Sequence, residues 1–170
     1  MRVRPTIPES MFLLIVMAAV VGFRLLTFGP PELNGFDESV YTHYGEVLGR
    51  GGVAGLRHVA ERWADHEQLS KGPLPFRVAF IGAGALCCRI LGAYTPFGFA
   101  LVSLIGGLLL AVAGVLLARR WMSGIAGPVV AGVLCGVSPL ATGLSRRALQ
   151  DSMFAALVVL AFWSLDRFLE

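Results

Sequence analysis

The sequence predicts an all-α polytopic membrane protein of about four transmembrane helices, with one long outer loop of juxtamembrane helices. Three observations carry that expectation. Of the 170 residues, 56% are hydrophobic and 15% charged, whereas a soluble domain is about a quarter charged. Four apolar runs approach or exceed the length of a bilayer span. Arginines flank those runs, as membrane topology requires. The formal charge of +3 would otherwise suggest nucleic acid as a partner. However, thirteen of the fourteen cations are Arg, distributed along the chain beside apolar runs, so nucleic acid is set aside. Cys87, Cys88 and Cys135 match no zinc spacing, and an odd number makes a poor disulfide framework. They read as small buried hydrophobes.

The spans follow from length. A helix needs about 20 residues at about 1.5 Å each to cross about 30 Å of hydrocarbon. Phe97 to Ala118 is 22 residues without a charge, and Ile125 to Leu144 is 20. Met11 to Phe23 is uncharged for 13 residues and reaches Phe28 if Arg24 snorkels to an interface. Ser152 to Leu165 is uncharged for 14 and extends to about residue 168 with Asp166 and Arg167 at an interface. The expected spans are therefore about 11–28, 97–118, 125–144 and 152–168, in a single membrane module covering 1–170. Arg2 and Arg4 ahead of the first run, with Ala18-Ala19 inside it, also fit a signal peptide. The continuation of the apolar run favours a retained span. Val78 to Cys88, between Arg77 and Arg89, has only 11 residues. It is too short to cross and reads as juxtamembrane or re-entrant. With four spans, the 29–96 loop and the Arg146–Asp151 turn share the outer side.

That outer loop holds seven of the eleven acids: Glu32, Asp37, Glu38, Glu46, Glu61, Asp65 and Glu67. Three helices are expected in it. The first, about 38–49, follows an Asp37 N-cap and places Val40, Tyr44 and Val47 on an apolar face. The second, about 53–67, sets Leu56, Ala60 and Trp63 opposite Arg57, Glu61 and Asp65, with Gly49, Gly51 and Gly52 separating the two. The third, about 74–91, opens at the Ser70-Lys71-Gly72-Pro73-Leu74-Pro75 turn. Elsewhere Gly106-Gly107, Gly127 and Gly132 stand at helix-packing positions. No dinucleotide, Walker, zinc-protease or serine-hydrolase motif is present.

A few polar residues could carry chemistry. Asp37 and Glu38 read either as a helix cap with a dipole-friendly neighbour or as a general base with its partner. Lys71, the single Lys in the chain, reads as an interface cation or as a point charge for a phosphate. Asp151 opens the last helix or supplies a second acid. His43 lies one to two turns from the acidic pair, which raises a divalent metal as a further alternative.

Three stretches, in order, resemble a known family: F-D-E-S-V-Y-T-H-Y-G-E, K-G-P-L-P, and S-P-L-A-T-G-L-S-R-R-A-L-Q-D-S-M. Together they resemble the N-terminal part of the lipid-linked-sugar glycosyltransferases of the GT-C fold. The protein O-mannosyltransferase and aminoarabinose transferase branch is the nearest in pattern. The resemblance implies an inverting membrane enzyme that takes a sugar from a polyprenyl-phosphate donor at the outer face of a bacterial inner membrane, on its periplasmic side. It implies Asp37 as base with Glu38 beside it, Lys71 on the phosphate, Asp151 in the same outer site, and Arg146 and Arg147 as phosphate partners. Gly72 departs from the family's first Pro. Family members are several times longer, which implies a missing C-terminal half or a partner chain. A non-enzymatic membrane subunit or transporter component is the rival reading. It expects charges and broken helices near mid-membrane.

Overall fold

The computed structural model describes residues 8–28, 36–63, 77–139, 142–143 and 151–169. Among them are six helices and no strand: α1 (Glu9–Thr27), α2 (Phe36–Glu61), α3 (Val78–Leu91), α4 (Pro96–Trp121), α5 (Ala126–Val137) and α6 (Asp151–Phe168). Two of these, α1 and α4, are long and apolar enough to cross a membrane.

The other two expected spans differ from their hydropathy profile. The 125–144 run is not one helix. Its helix α5 stops at Val137 after 12 residues, about 18 Å at 1.5 Å each. The cause is Pro139, which disfavours helical geometry in the residue before it. Ser138 accordingly turns extended, at φ −57° and ψ 142°. Helix α6 has 18 residues but carries Asp151, Asp166 and Arg167.

Helix directions follow from what touches what. Helix α5 folds back on α4: a Cβ at Gly127 would lie 2.5 Å from Met122 Sδ, and one at Gly132 would lie 2.8 Å from Val115. Val20 and Met17 of α1 approach Gly136 and Gly132 of α5 in the same order, so those two helices run parallel. Helices α4 and α6 are also parallel. A Cβ at Gly106 would lie 2.6 Å from Met153 N, and further along Arg120 meets Asp166 at 2.7 Å. Phe28, just past α1, stacks on Phe97 at the start of α4, with centroids 5.8 Å apart. Helices α1, α4, α5 and α6 therefore alternate in direction. Gly106, Gly127 and Gly132 let their backbones approach, as expected for glycines between apolar helices.

Helices α2 and α3 pack against the early part of α4. Helix α2 is two helical segments joined at Gly52, whose backbone is non-helical (φ 61°, ψ −160°), a conformation that glycine adopts without Cβ strain. The expected separation of two helices at the glycines is found at Gly52. Leu56 is buried, while Arg57 and Glu61 pair at 2.8 Å on the exposed side, as the face assignment required. Helix α3 starts at Val78. Residues 74–76, and 64–67 of the preceding expected helix, lie outside the described residues. Gly92 closes α3 in the left-handed region at φ 78°. The common core of this end is Val40, Tyr41, Tyr44, Phe80, Ile81, Cys88, Phe99 and Val102. Tyr41 meets Phe80 edge-on at 5.1 Å, and Phe80 tilts on Phe99 at 5.6 Å. Such pairs contribute about 0.5–1.5 kcal/mol each beyond their burial. The three cysteines are free thiols, with Cys88 fully buried.

Candidate functional site

The site is built where α2, α3 and α6 begin. Asp37 lies in the first turn of α2 and is exposed, whereas Glu38 is buried at 3% exposure. Neighbouring residues on a helix point about 100° apart, so the acidic pair divides, with one carboxylate outward and one inward. Asp37 is a first-turn residue within the helix, since α2 already includes Phe36.

One turn after Asp37, Tyr41 is fully buried. Its phenol oxygen accepts a hydrogen bond from Arg77 Nη1, at the start of α3. The guanidinium also sits 5.8 Å from the centroid of the Tyr41 ring, a cation–π distance. Burial pushes the Tyr41 phenol up from its ordinary value, the Arg77 bond and charge pull it down, and the charges of Asp37 and Asp151 push it up again. Asp37 does so as a neighbour on the same helix. Asp151 is 110 positions away in sequence and acts on the same phenol across the fold. Tyr41 packs on Phe80, and Phe80 and Arg77 share a groove with Met153 of α6, so the starts of α2, α3 and α6, which carry Asp37, Arg77 and Asp151, meet at one end of the bundle.

Asp151 is the first residue of α6 and is exposed. Arg77, Val78, Ala79, Phe80, Met153, Phe154 and Leu157 surround a groove of about 160 Å³ beside it. Its walls are the first turns of α3 and α6. His43 does not join the acids. Six residues after Asp37 it has turned about 240° around the helix, and it is exposed with its ring 6.2 Å from that of Tyr44. Among the described residues no three His, Cys, Asp or Glu side chains converge on a metal position. Lys71, Arg146 and Arg147 lie outside the described residues.

Arg24 corrects an expectation. Sequence placed it snorkelling at the end of the first span. Instead it is 1% exposed. Nε donates to Gly136 O at 2.5 Å and Nη2 to Cys135 O at 3.1 Å. The last carbonyls of a helix lack intrahelical donors and favour a cation. Arg24 supplies both to α5 where the Ser138-Pro139 break exposes them.

Tyr41 and Arg77 are residues that sequence reading passed over as site members, and Arg24 is one that it misplaced. Tyr41 had a signal, standing at i+4 from Asp37 on one helix face. Arg77 had only its place at the mouth of a short apolar helix.

Compared with protein-family models, curated proteins and solved structures, the chain matches none.

Proposed function

We propose that this chain is a membrane glycosyltransferase module, or the N-terminal part of one, that transfers a sugar from a polyprenyl-phosphate donor to an acceptor hydroxyl. The observation that carries the reading is the meeting of the starts of α2, α3 and α6, which bear Asp37, Arg77 and Asp151. An acid–cation constellation at one end of an apolar bundle suits a substrate with a charged head and a buried tail. A broad apolar exterior supports the membrane setting. Leu14, Ile15, Leu25 and Leu26 of α1, Ile105 and Leu109 of α4, and Phe154, Phe162 and Leu165 of α6 are all exposed. Soluble monomers rarely present so much contiguous apolar surface. In this reading α5 and α6 complete a four-span bundle with α1 and α4.

The chemistry is a single displacement. The acceptor oxygen bonds to the anomeric carbon as the bond from that carbon to the phosphate oxygen breaks. The phosphate leaves with the electron pair, and the hydroxyl proton passes to the Asp37 carboxylate. Attack from the face opposite the phosphate inverts the anomeric centre. Arg77, with Lys71, Arg146 and Arg147 by family resemblance, offsets the charge growing on the phosphate. Glu38, turned inward, supports the start of α2. The donor requires an enzyme fixed at the bilayer surface, with the acidic end extracytoplasmic.

The test is sugar transfer from a polyprenyl-phosphate donor in membranes bearing the chain together with any partner that completes it. Asp37→Asn should lower the rate by about 10² to 10⁴, the range for loss of a general base, with expression unchanged. Full transfer by that variant removes Asp37 as base.

A transporter component is the second reading, and Arg24 favours it. A buried cation at the end of a short helix is a feature that transporters place in solute pathways. Solute flux through reconstituted vesicles separates the two, since the enzyme reading expects none.

A further inference from the structure

We propose that the end of the bundle where α4 and α6 finish docks an anionic phospholipid, whose headgroup is held by Arg119 and Arg167. This goes beyond the glycosyl-transfer reading and rests only on the membrane setting of the bundle. Among the described residues three arginines stand at this end, Arg119 and Arg120 in the last turn of α4 and Arg167 in the last turn of α6. Two carboxylates accompany them. Asp166 is engaged by Arg120 at 2.7 Å and by the Trp121 indole N–H at 3.4 Å. Glu9 opens α1, which packs on α5 and α4. Arg119 and Arg167 are exposed, and neither has a carboxylate partner among the described residues. The Arg167 guanidinium instead lies 5.7 Å from the centroid of the Trp163 ring, a cation–π contact that leaves its N–H donors open.

The negative ends of two helix dipoles lie here, and a last-turn arginine offsets each. That accounts for cations at this end but not for what surrounds them. Trp121 is 66% exposed, and Met122, Leu165 and Phe168, within a turn of the Arg120–Asp166 pair, are exposed as well. A soluble acidic partner would cover the guanidiniums and leave that apolar surface in water. A phospholipid covers both, with its phosphate on the forked donors and its acyl chains on the rings and aliphatic side chains. The headgroup is net negative, because a zwitterionic one carries an ammonium that two unpaired guanidiniums repel. The exposed aspartates Asp37 and Asp151 stand at the other end. The two leaflets therefore meet opposite sides of the charge distribution, and the arginine end faces the leaflet richer in anionic lipid.

The experiment uses the whole chain in phosphatidylcholine nanodiscs and reads tryptophan emission. In a Trp63→Phe background the emitters are Trp121 and Trp163, both at this end. The probes are phosphatidylglycerol and phosphatidylcholine brominated on the upper acyl chain, which quench an indole they touch. Phosphatidylglycerol should bind more tightly than phosphatidylcholine by about fivefold for each unpaired arginine. Arg119→Gln and Arg167→Gln should each lose about fivefold, and the double variant should show no preference. Arg57→Gln, at an exposed arginine of α2, should change nothing. A readout independent of Trp63→Phe is the native mass spectrum of the unmutated chain released from nanodiscs of equal phosphatidylglycerol and phosphatidylcholine content, in which phosphatidylglycerol should be the lipid retained. Equal quenching by the two lipids, retention of both alike, a preference that survives in the double variant, or an equal loss in Arg57→Gln would overturn the site. Sugar transfer enters none of these readings, so the site stands or falls apart from the proposed activity.

Discussion

The two ends of the bundle use the same residue types to opposite effect. At the end where α4 and α6 finish, Arg120 meets Asp166 at 2.7 Å and the Trp121 indole N–H donates to the same carboxylate at 3.4 Å. Arg120 and Asp166 form a closed pair there. At the end where α4 and α6 begin, Arg77 leans on a phenol and two aspartates remain exposed near it. The first arrangement ties two parallel helices together. The second leaves donors and acceptors ready for something else. What differs is the spacing that packing imposes on acid and cation, and this is what separates a structural pair from a candidate site.

The largest effect expected away from the chemistry is at Arg24, the support beneath the open end. Arg24→Met should destabilise the fold by about 1.5–3 kcal/mol per lost charge-assisted hydrogen bond, and Arg24→Lys should recover only part, lacking the guanidinium fork. Thermal unfolding in detergent measures both. A neutral Arg24→Met would mean that the α5 carbonyls find other donors.

Tyr41 sharpens the contrast next. Tyr41→Phe removes the phenol that Arg77 holds and should cost about 1 kcal/mol at neutral pH. It should also change the alkaline limb. Burial raises the folded phenol above its unfolded value near 10. Its contribution is then complete below pH ~10 and is lost as pH climbs through the folded value. Wild type should lose stability above pH ~10 more steeply than Tyr41→Phe. Tyr44, whose phenol burial also raises, keeps some of the slope in both proteins. Parallel alkaline limbs would contradict the burial assigned to Tyr41.

The closed end should respond least. Asp166→Asn removes a partly exposed pair, and such pairs add little to stability. Its unfolding midpoint should shift slightly and become insensitive to salt. A loss as large as that at Arg24 would mean that the two ends are not organised differently after all.

Much of the frame could be read from residue order, and much of the site could not. Helices α1 and α4, the buried Val40 and Tyr44, and the close approaches at Gly106, Gly127 and Gly132 follow from local periodicity and residue size. The Ser138-Pro139 break was also local, yet the charge-free run around it concealed the end of α5. Arg24 and Gly136 are 112 positions apart, and Tyr41 and Arg77 are 36 apart. Hydropathy assigns a residue to a face of its own helix and says nothing of which neighbour that face meets. In the sequence, Asp37 and Asp151 shared a membrane face only through the four-span topology, and a common site only through the resemblance. That the starts of α2, α3 and α6 meet is a property of packing alone.

The most direct test of that convergence places single cysteines at 37 and 151 in a protein with Cys87, Cys88 and Cys135 replaced. Sealed vesicles of known orientation are treated with an impermeant thiol reagent, and the double variant with a short bifunctional one. Both positions should label from the same side, and the pair should cross-link within one chain. Labelling from opposite sides would place the two carboxylates across the bilayer from each other and contradict the account.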